Sequence, residues 1–202
     1  MNHIPETPDW GLFALVSYIP DPLGSFLHGL RQALPGEDNP RPHITILPPR
    51  PLKLPVEAAS KQARKILRQF SAFEVELSRV CYFVGTSFLY LDVGEGSCLL
   101  HDLHDALNAG DLGHREELQY RPHLTLGGPV DAGQLEAFQR QAEGAWRAVS
   151  CPRRFKVDNV VGLWLSPSSG QGEWHRLWSH HLQKGRDRVI SLAAAAVTSR
   201  TY

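Results

Sequence analysis

Two nine-residue stretches carry the residues best suited to chemistry: RPHITILPP from Arg41 and RPHLTLGGP from Arg121, 80 residues apart. Arg, Pro, His and Thr fall at identical places in both, and Ile exchanges with Leu after each His and each Thr. Four such identities have a chance of roughly 10⁻⁵ per pair of windows under average usage, and a chain of this length offers on the order of 10⁴ pairs. The two Ile/Leu exchanges multiply in roughly another factor of 0.02, so the pair reads as an internal duplication.

Alternate side chains of a strand share a face, so His43 and Thr45 point the same way, roughly 7 Å apart at about 3.3 Å per residue. His123 and Thr125 do likewise. Ile44, Ile46, Leu124 and Leu126 face the other way, into a core covered by helices. Pseudo-twofold packing brings the two polar faces together across one cleft holding two imidazoles and two hydroxyls. A neutral imidazole takes a proton from an attacking water, and a protonated one gives a proton to a leaving oxygen; each role is typically worth about 10² to 10⁴ in rate. Threonine hydroxyls, with a nearby guanidinium, hold the non-bridging oxygens of a phosphodiester as charge builds. Such a site needs no metal or other cofactor.

Other readings compete. A lone strand histidine is more often packed or solvated than catalytic. A duplication kept only for packing, however, would favour apolar residues over His and Thr on the inner face. His-x-Thr supplies one good metal ligand per strand, which ranks a metal site low. His101 and His104, with Asp102 and Asp105 beside them, offer a second metal option against the commoner solvated helix face. His180 and His181 read as surface.

The elements that must position the motifs follow from periodicity. Residues 12–19, LFALVSYI, are rich in β-formers and predict a strand. A helix follows over 22–36, with Leu23, Phe26, Leu27 and Leu30 at helical spacing. HITIL is a short strand punctuated by flanking prolines. PVEAASKQARKILRQF predicts a helix, and FEVELSRVCYFV and SFLYLDV two strands joined around Gly85. The second half repeats the grammar: SCLLHDLHDALNAG as a helix with Ser97 as N-cap and Gly110 past its end, HLTLG as a strand, and DAGQLEAFQRQAEGAWRAV as a helix. FKVDNVVGLWL and EWHRLWSHHLQ are strands separated by the turn-rich SPSSGQG. Residues 1–185 are expected to form one domain, its halves interleaved around the two His-x-Thr strands, with a loosely docked tail over 186–202.

Composition narrows the function classes. Hydrophobic residues make up 42% and charged residues 21%, which suits an ordinary globular protein. Lys+Arg and Asp+Glu are 21 each, so the net charge is zero and a basic footprint for long nucleic acid is absent. A nucleic-acid substrate would be met as an end or a short piece. Three cysteines, Cys81, Cys98 and Cys151, fit neither a disulfide scaffold nor a zinc site. The start, MNHIPETPDWG, lacks the regions of a signal peptide, and GLFALVSYI is too short to span a bilayer. The expected setting is cytoplasmic, with no membrane partner.

The paired H-x-T-x motifs in two βα halves resemble the two-histidine phosphoesterase superfamily, which includes 2'-5' RNA ligase-like proteins and RNA 2',3'-cyclic phosphodiesterases. The resemblance covers roughly residues 10–183. It implies a bilobal α+β fold of pseudo-twofold duplicated βα units, with two antiparallel or mixed sheets facing a central cleft and helices outside. It implies a metal-independent site with His43 as general acid, His123 as general base, and Thr45 and Thr125 on phosphate. The implied reaction is hydrolysis of 2',3'-cyclic phosphates on RNA 3' ends or small nucleotides by a monomer, with ATP-free 2'-5' ligation as its reverse.

Some RNA-processing members carry a basic residue soon after the second motif; here Gly127, Gly128 and Pro129 follow, glycines that allow close approach of a ligand or simply a turn. Arg50 and Lys53 could supply the missing charge. Arg41 and Arg121 share the strand parity of the histidines and rank second for phosphate, against the surface reading. Tyr120, Trp10 and Trp164 could stack a base, against core or rim packing. Two rival functions remain: a non-catalytic nucleotide or RNA-end binding module using the same cleft, and a structural interaction domain.

Overall fold

The computed structural model describes residues 11–36, 40–131, 133–166 and 173–183. Trp10, the SPSSGQG turn beyond Ser166 and the 186–202 tail lie outside them. Strand β1 (Leu12–Tyr18) is buried over all but its ends, as its apolar run from Leu12 to Val16 requires of a strand covered on both faces. It lies between β2 (His43–Pro51) and β7 (Asn159–Leu165), and β8 (Trp174–His181) completes a sheet of order β2-β1-β7-β8. The second sheet has the order β5-β4-β3-β6, from β3 (Phe73–Tyr82), β4 (Leu89–Val93), β5 (His123–Gly127) and β6 (Arg154–Val157). Every pairing within the two sheets is antiparallel. Helices α1 (Leu23–Gln32), α2 (Val56–Leu67), α3 (Ser97–Leu107) and α4 (Leu135–Arg147) make the fold α+β.

The duplication is visible in the order of the strands. The unit β1-α1-β2 corresponds to β4-α3-β5: in each, a helix links two antiparallel neighbours and the second strand carries the motif at the sheet edge. Register agrees, with Thr45 opposite Val16 and His43 opposite Tyr18 in one sheet, and Thr125 opposite Tyr90 and His123 opposite Asp92 in the other. The second sheet is built from the middle of the chain. The first joins the two N-terminal strands to β7 and β8 near the other end.

Three local expectations are corrected. FKVDNVVGLWL is not one strand but two, parted at Asp158 and placed in different sheets. β6 is an edge strand with alternating burial at Arg154, Phe155, Lys156 and Val157, whereas Val160, Val161 and Gly162 of the interior strand β7 are buried consecutively. The prolines after HITIL do not end β2, which runs to Pro51. An edge strand pairs on one side only, so the missing N–H groups leave no ladder partner stranded. Finally, Gly96 rather than Ser97 is the N-cap of α3, at φ +83°. A Cβ there would lie 2.3 Å from the Glu74 carbonyl oxygen, so neither the left-handed turn nor the approach admits a side chain.

The motif strands are held from behind. Ile44, Ile46, Leu47, Leu124 and Leu126 are fully buried and join one continuous core drawn from both sheets and all four helices. Among the described residues no helix is long and apolar enough to cross a membrane, and all three cysteines are free. Gly96→Ala is expected to cost about 1–3 kcal/mol of stability by combining positive φ with backbone overlap. Urea unfolding measures this; an unchanged midpoint would mean that the β4–α3 connection repacks without strain.

Candidate functional site

β2 and β5 are the edge strands of their sheets, and they run beside each other. Each has the same burial sequence over its first five residues, with His and Thr half-buried and the intervening residues inaccessible. The two polar faces therefore share one cavity of about 250 Å³, lined by Arg31, Pro40, His43, Thr45, His123 and Thr125. The helices of the two duplicated units cross to the opposite half: α1 packs against β5, and α3 against β2.

Both imidazoles are oriented by their own motif. His43 Nδ1 lies 2.8 Å from the Arg41 carbonyl oxygen, and His123 Nδ1 lies 2.7 Å from that of Arg121. A carbonyl oxygen only accepts, so Nδ1 carries the proton and donates. That fixes Nε2 as the nitrogen that is basic in the neutral ring and acidic in the charged one. Aromatic edges brace the rings: Tyr18 stands 6.1 Å from His43, and Phe83 and Tyr90 stand 4.9 Å and 5.5 Å from His123, by centroids.

Burial holds both imidazoles below the ordinary histidine pKa, and the backbone hydrogen bonds oppose it in part. The nearby charges differ. His43 is pushed further down by Arg31 and by His123. At His123 the Arg121 charge also lowers the pKa, but Asp92 opposes it.

The other expected residues are placed as follows. Arg41 and Arg121 do not line the cavity; each lays its guanidinium over a tyrosine ring, Arg41 at 4.8 Å from the Tyr18 centroid and Arg121 at 5.4 Å from that of Tyr90. Arg121 also pairs with Asp92 at 3.3 Å. Their contribution to the site is the main-chain carbonyl that holds each histidine. Arg41 borders a neighbouring hollow of about 410 Å³ with Asp21, Ser25 and His28.

Arg50 is only 1% exposed and is turned inward, donating to the Pro48 carbonyl, to Asn108 and to the Glu116 carboxylate. It lies away from the cavity because Glu116 and Asn108, from the segment after α3, close over it. Tyr120 is likewise a brace. Its hydroxyl donates to the Thr45 carbonyl oxygen at 2.8 Å, and its ring stacks on His104 at 3.8 Å. Burial and the Glu116 charge raise its phenol pKa, so it stays a donor.

His104 is 3% exposed, with Nδ1 2.9 Å from the Ile46 carbonyl oxygen; His101 meets the edge of Tyr120. Among the described residues no group of three or more His, Cys, Asp or Glu converges as a metal-ligand set. Trp164 packs against the core cluster and Lys53 is exposed. Gly127 and Gly128 do permit a close approach, but to the chain itself. A Cβ on Gly127 would lie 2.5 Å from the Pro35 carbonyl oxygen, and the Gly128 N–H donates to that oxygen at 2.8 Å.

The cavity residue that the sequence reading overlooks is Arg31. It falls on the apolar stripe of α1 with Leu23, Leu27 and Leu30, which Leu34 continues past the helix end, and is 6% exposed. A charge on a buried helical stripe was the available signal. The duplication supplies a second: Leu27, Leu30, Arg31 and Leu34 of the first half match Leu100, Leu103, His104 and Leu107 of the second, and all eight are buried.

The model of the 2'-5' RNA ligase superfamily matches residues 19–167. The chain belongs to the 2'-5' RNA ligase superfamily. No curated protein matches the sequence. Solved structures share the fold at low identity. Apo E. coli LigT superposes with a TM-score of 0.58 at 14% identity, covering 86% of this chain and 98% of that one. TT0787 of Thermus thermophilus gives 0.58 at 15%, covering 87% and 100%. Kluyveromyces marxianus Usb1 gives 0.50 at 10%, covering 76% and 94%. E. coli LigT has also been solved with phosphate, with 3'-AMP and with ATP.

Arg50→Met tests the structural place of Arg50 in this superfamily member. Removing one partner of a buried ion pair is expected to cost about 3–5 kcal/mol in thermal or urea unfolding. A stable variant with weakened binding of phosphate would instead return Arg50 to the ligand.

Proposed function

We propose that this protein is a phosphodiesterase that opens 2',3'-cyclic phosphates on RNA ends or small nucleotides by two-histidine general acid–base catalysis. The observation that carries the reading is the convergence of His43, Thr45, His123 and Thr125 on one cavity, with both Nδ1 atoms tied to backbone carbonyls. One Nε2 takes a proton from water as its oxygen bonds to phosphorus. The other gives a proton to the ribose oxygen as the P–O bond of the ring breaks, leaving a phosphomonoester. The threonine hydroxyls donate to the non-bridging oxygens. Two proton transfers complete the reaction without a Lewis acid. The same transfers in reverse would join a cyclic phosphate to a 5'-hydroxyl without ATP. We place the activity in the cytoplasm, on the monomer.

Charge suggests a division of labour opposite to the one the resemblance implies. Arg31 disfavours a proton on His43, whereas Asp92 offsets part of the Arg121 effect at His123. We therefore take His43 as base and His123 as acid in hydrolysis. The rival reading, nucleotide binding without turnover, gains weight from the LigT complexes with 3'-AMP and ATP. It predicts affinity without product.

His43→Ala and His123→Ala are each expected to lower turnover of a 2',3'-cyclic nucleotide by at least about 10², with folding intact and chelators without effect on the parent enzyme. A substrate with sulfur as the leaving atom needs no acid, so it should restore His123→Ala more than His43→Ala. Wild-type turnover in either variant, or zinc-restored activity after chelation, would sink the scheme.

The pH profile should be a bell, because one ring must be neutral and the other protonated. Both pKa values are depressed in the free protein, so the singly protonated pair forms as pH rises through the lower and is lost as it rises through the upper, both below about 6.5. The kcat/KM maximum is therefore expected on the acid side of 6.5. A bound anion favours protonation and should move the kcat profile to higher pH. A rate still rising beyond pH 9 would point to hydroxide or another base.

A further inference from the structure

Among the described residues that line the cavity Arg31 is the one fixed charge, and none of them is a carboxylate. One Nη donates to the Pro40 carbonyl at 2.7 Å. Its Nε is buried and has no hydrogen-bond partner among the described residues. A guanidinium stays protonated even where burial works against its charge, as it does here. Leaving one of its donors without an acceptor is costly. The described residues of the cavity supply neither the acceptor nor the counter-charge, so a ligand that brings both would relieve the site.

The duplicated position shows that this is particular to one half. His104, the counterpart of Arg31 in α3, is fully engaged: Nδ1 donates to the Ile46 carbonyl, the ring stacks on Tyr120, and Glu116 lies 3.6 Å from Nε2. No basic residue stands in the Gly127–Asp131 stretch after the second motif. Its Gly127-Gly128 segment instead docks on Pro35, just past α1, through the Gly128 N–H. The helix brought against that segment is the one bearing Arg31.

We infer that Arg31 is the anion-holding cation of the cleft, its Nε–H donating to a non-bridging oxygen of the substrate phosphate in place of a basic residue after the second motif. The identity of that phosphate as a cyclic diester rests on the reading above; the capture of the anion does not. A single fixed cation matches the single charge of a diester. Its place on α1 makes the two halves unequal, so the phosphate is held in one orientation between otherwise similar histidines.

The test is titration of the wild-type protein with inorganic phosphate and with adenosine 2',3'-cyclic phosphate while the arginine Hε–Nε signals are followed by NMR. The Arg31 signal, assigned by through-bond correlation to its own backbone in the wild-type protein, should shift and saturate with each anion. Calorimetry should show phosphate binding weakened roughly 10- to 100-fold in Arg31→Met, the scale of one lost charge-assisted hydrogen bond. Phosphate that leaves the Arg31 signal unmoved, or fails to bind, would overturn the assignment, as would wild-type affinity in Arg31→Met. The wild-type titration decides the matter even if the variants do not fold. If the Arg31 signal shifts but no cyclic phosphate is hydrolysed, the catalytic reading fails and this one stands.

Discussion

Everything at the cleft depends on how the two sheet edges are held beside each other. β2 and β5 belong to different sheets, so no ladder of hydrogen bonds between neighbouring strands of one sheet fixes their separation. Groups from the opposite half take that role. His104 and Tyr120, from the second half, donate to the carbonyls of Ile46 and Thr45 on β2. Gly128 and Gln141 donate to the carbonyls of Pro35 and Ala33 at the end of α1. These bonds act on directional acceptors, and the common core beneath resists any slide that would open voids. The histidines inherit their spacing from this cross-bracing.

The duplication gives the cleft paired parts, and the surroundings then make them unequal. Arg41 and Arg121 behave alike, each offering a carbonyl to a histidine and a guanidinium to a tyrosine face. Asp92 stands opposite His123 in register, where the first sheet has Tyr18 opposite His43. Arg31 and His104 occupy equivalent buried helical positions with different chemistry. Acid–base catalysis needs two imidazoles in opposite protonation states. A strictly symmetric cleft would give both rings the same pKa, so the departures from symmetry carry as much of the argument as the symmetry does.

Burial acts in two directions on this site. It depresses the imidazole pKa values and so disfavours their charged forms in the empty cleft. It also strengthens any electrostatic contact made there, because the low-dielectric surroundings screen it less. An entering phosphate would therefore meet one fixed cation, Arg31, and two imidazoles whose protonation it favours.

The sequence by itself determined the local features. Strand parity puts His and Thr on one face and Ile and Leu on the other, and that period of two survives folding unchanged in β2 and β5. Helical stripes, the duplicated order of elements and the pairing of the two motifs were legible for the same reason: each depends on neighbours within a few residues, or on comparing one half with the other. The tertiary structure alone decided which sheet each strand joined. β6 and β7 are separated by a single residue, yet they lie in different sheets because β7 is enclosed between β1 and β8 while β6 remains an edge. It also decided which arginine would reach the cavity. Arg41, Arg50 and Arg121 lie nearest the motifs in sequence, but tyrosine faces, Glu116 and Asp92 engage them, and the cavity cation comes from α1. A charged side chain takes its role from the groups that fold over it, and those groups come from distant parts of the chain.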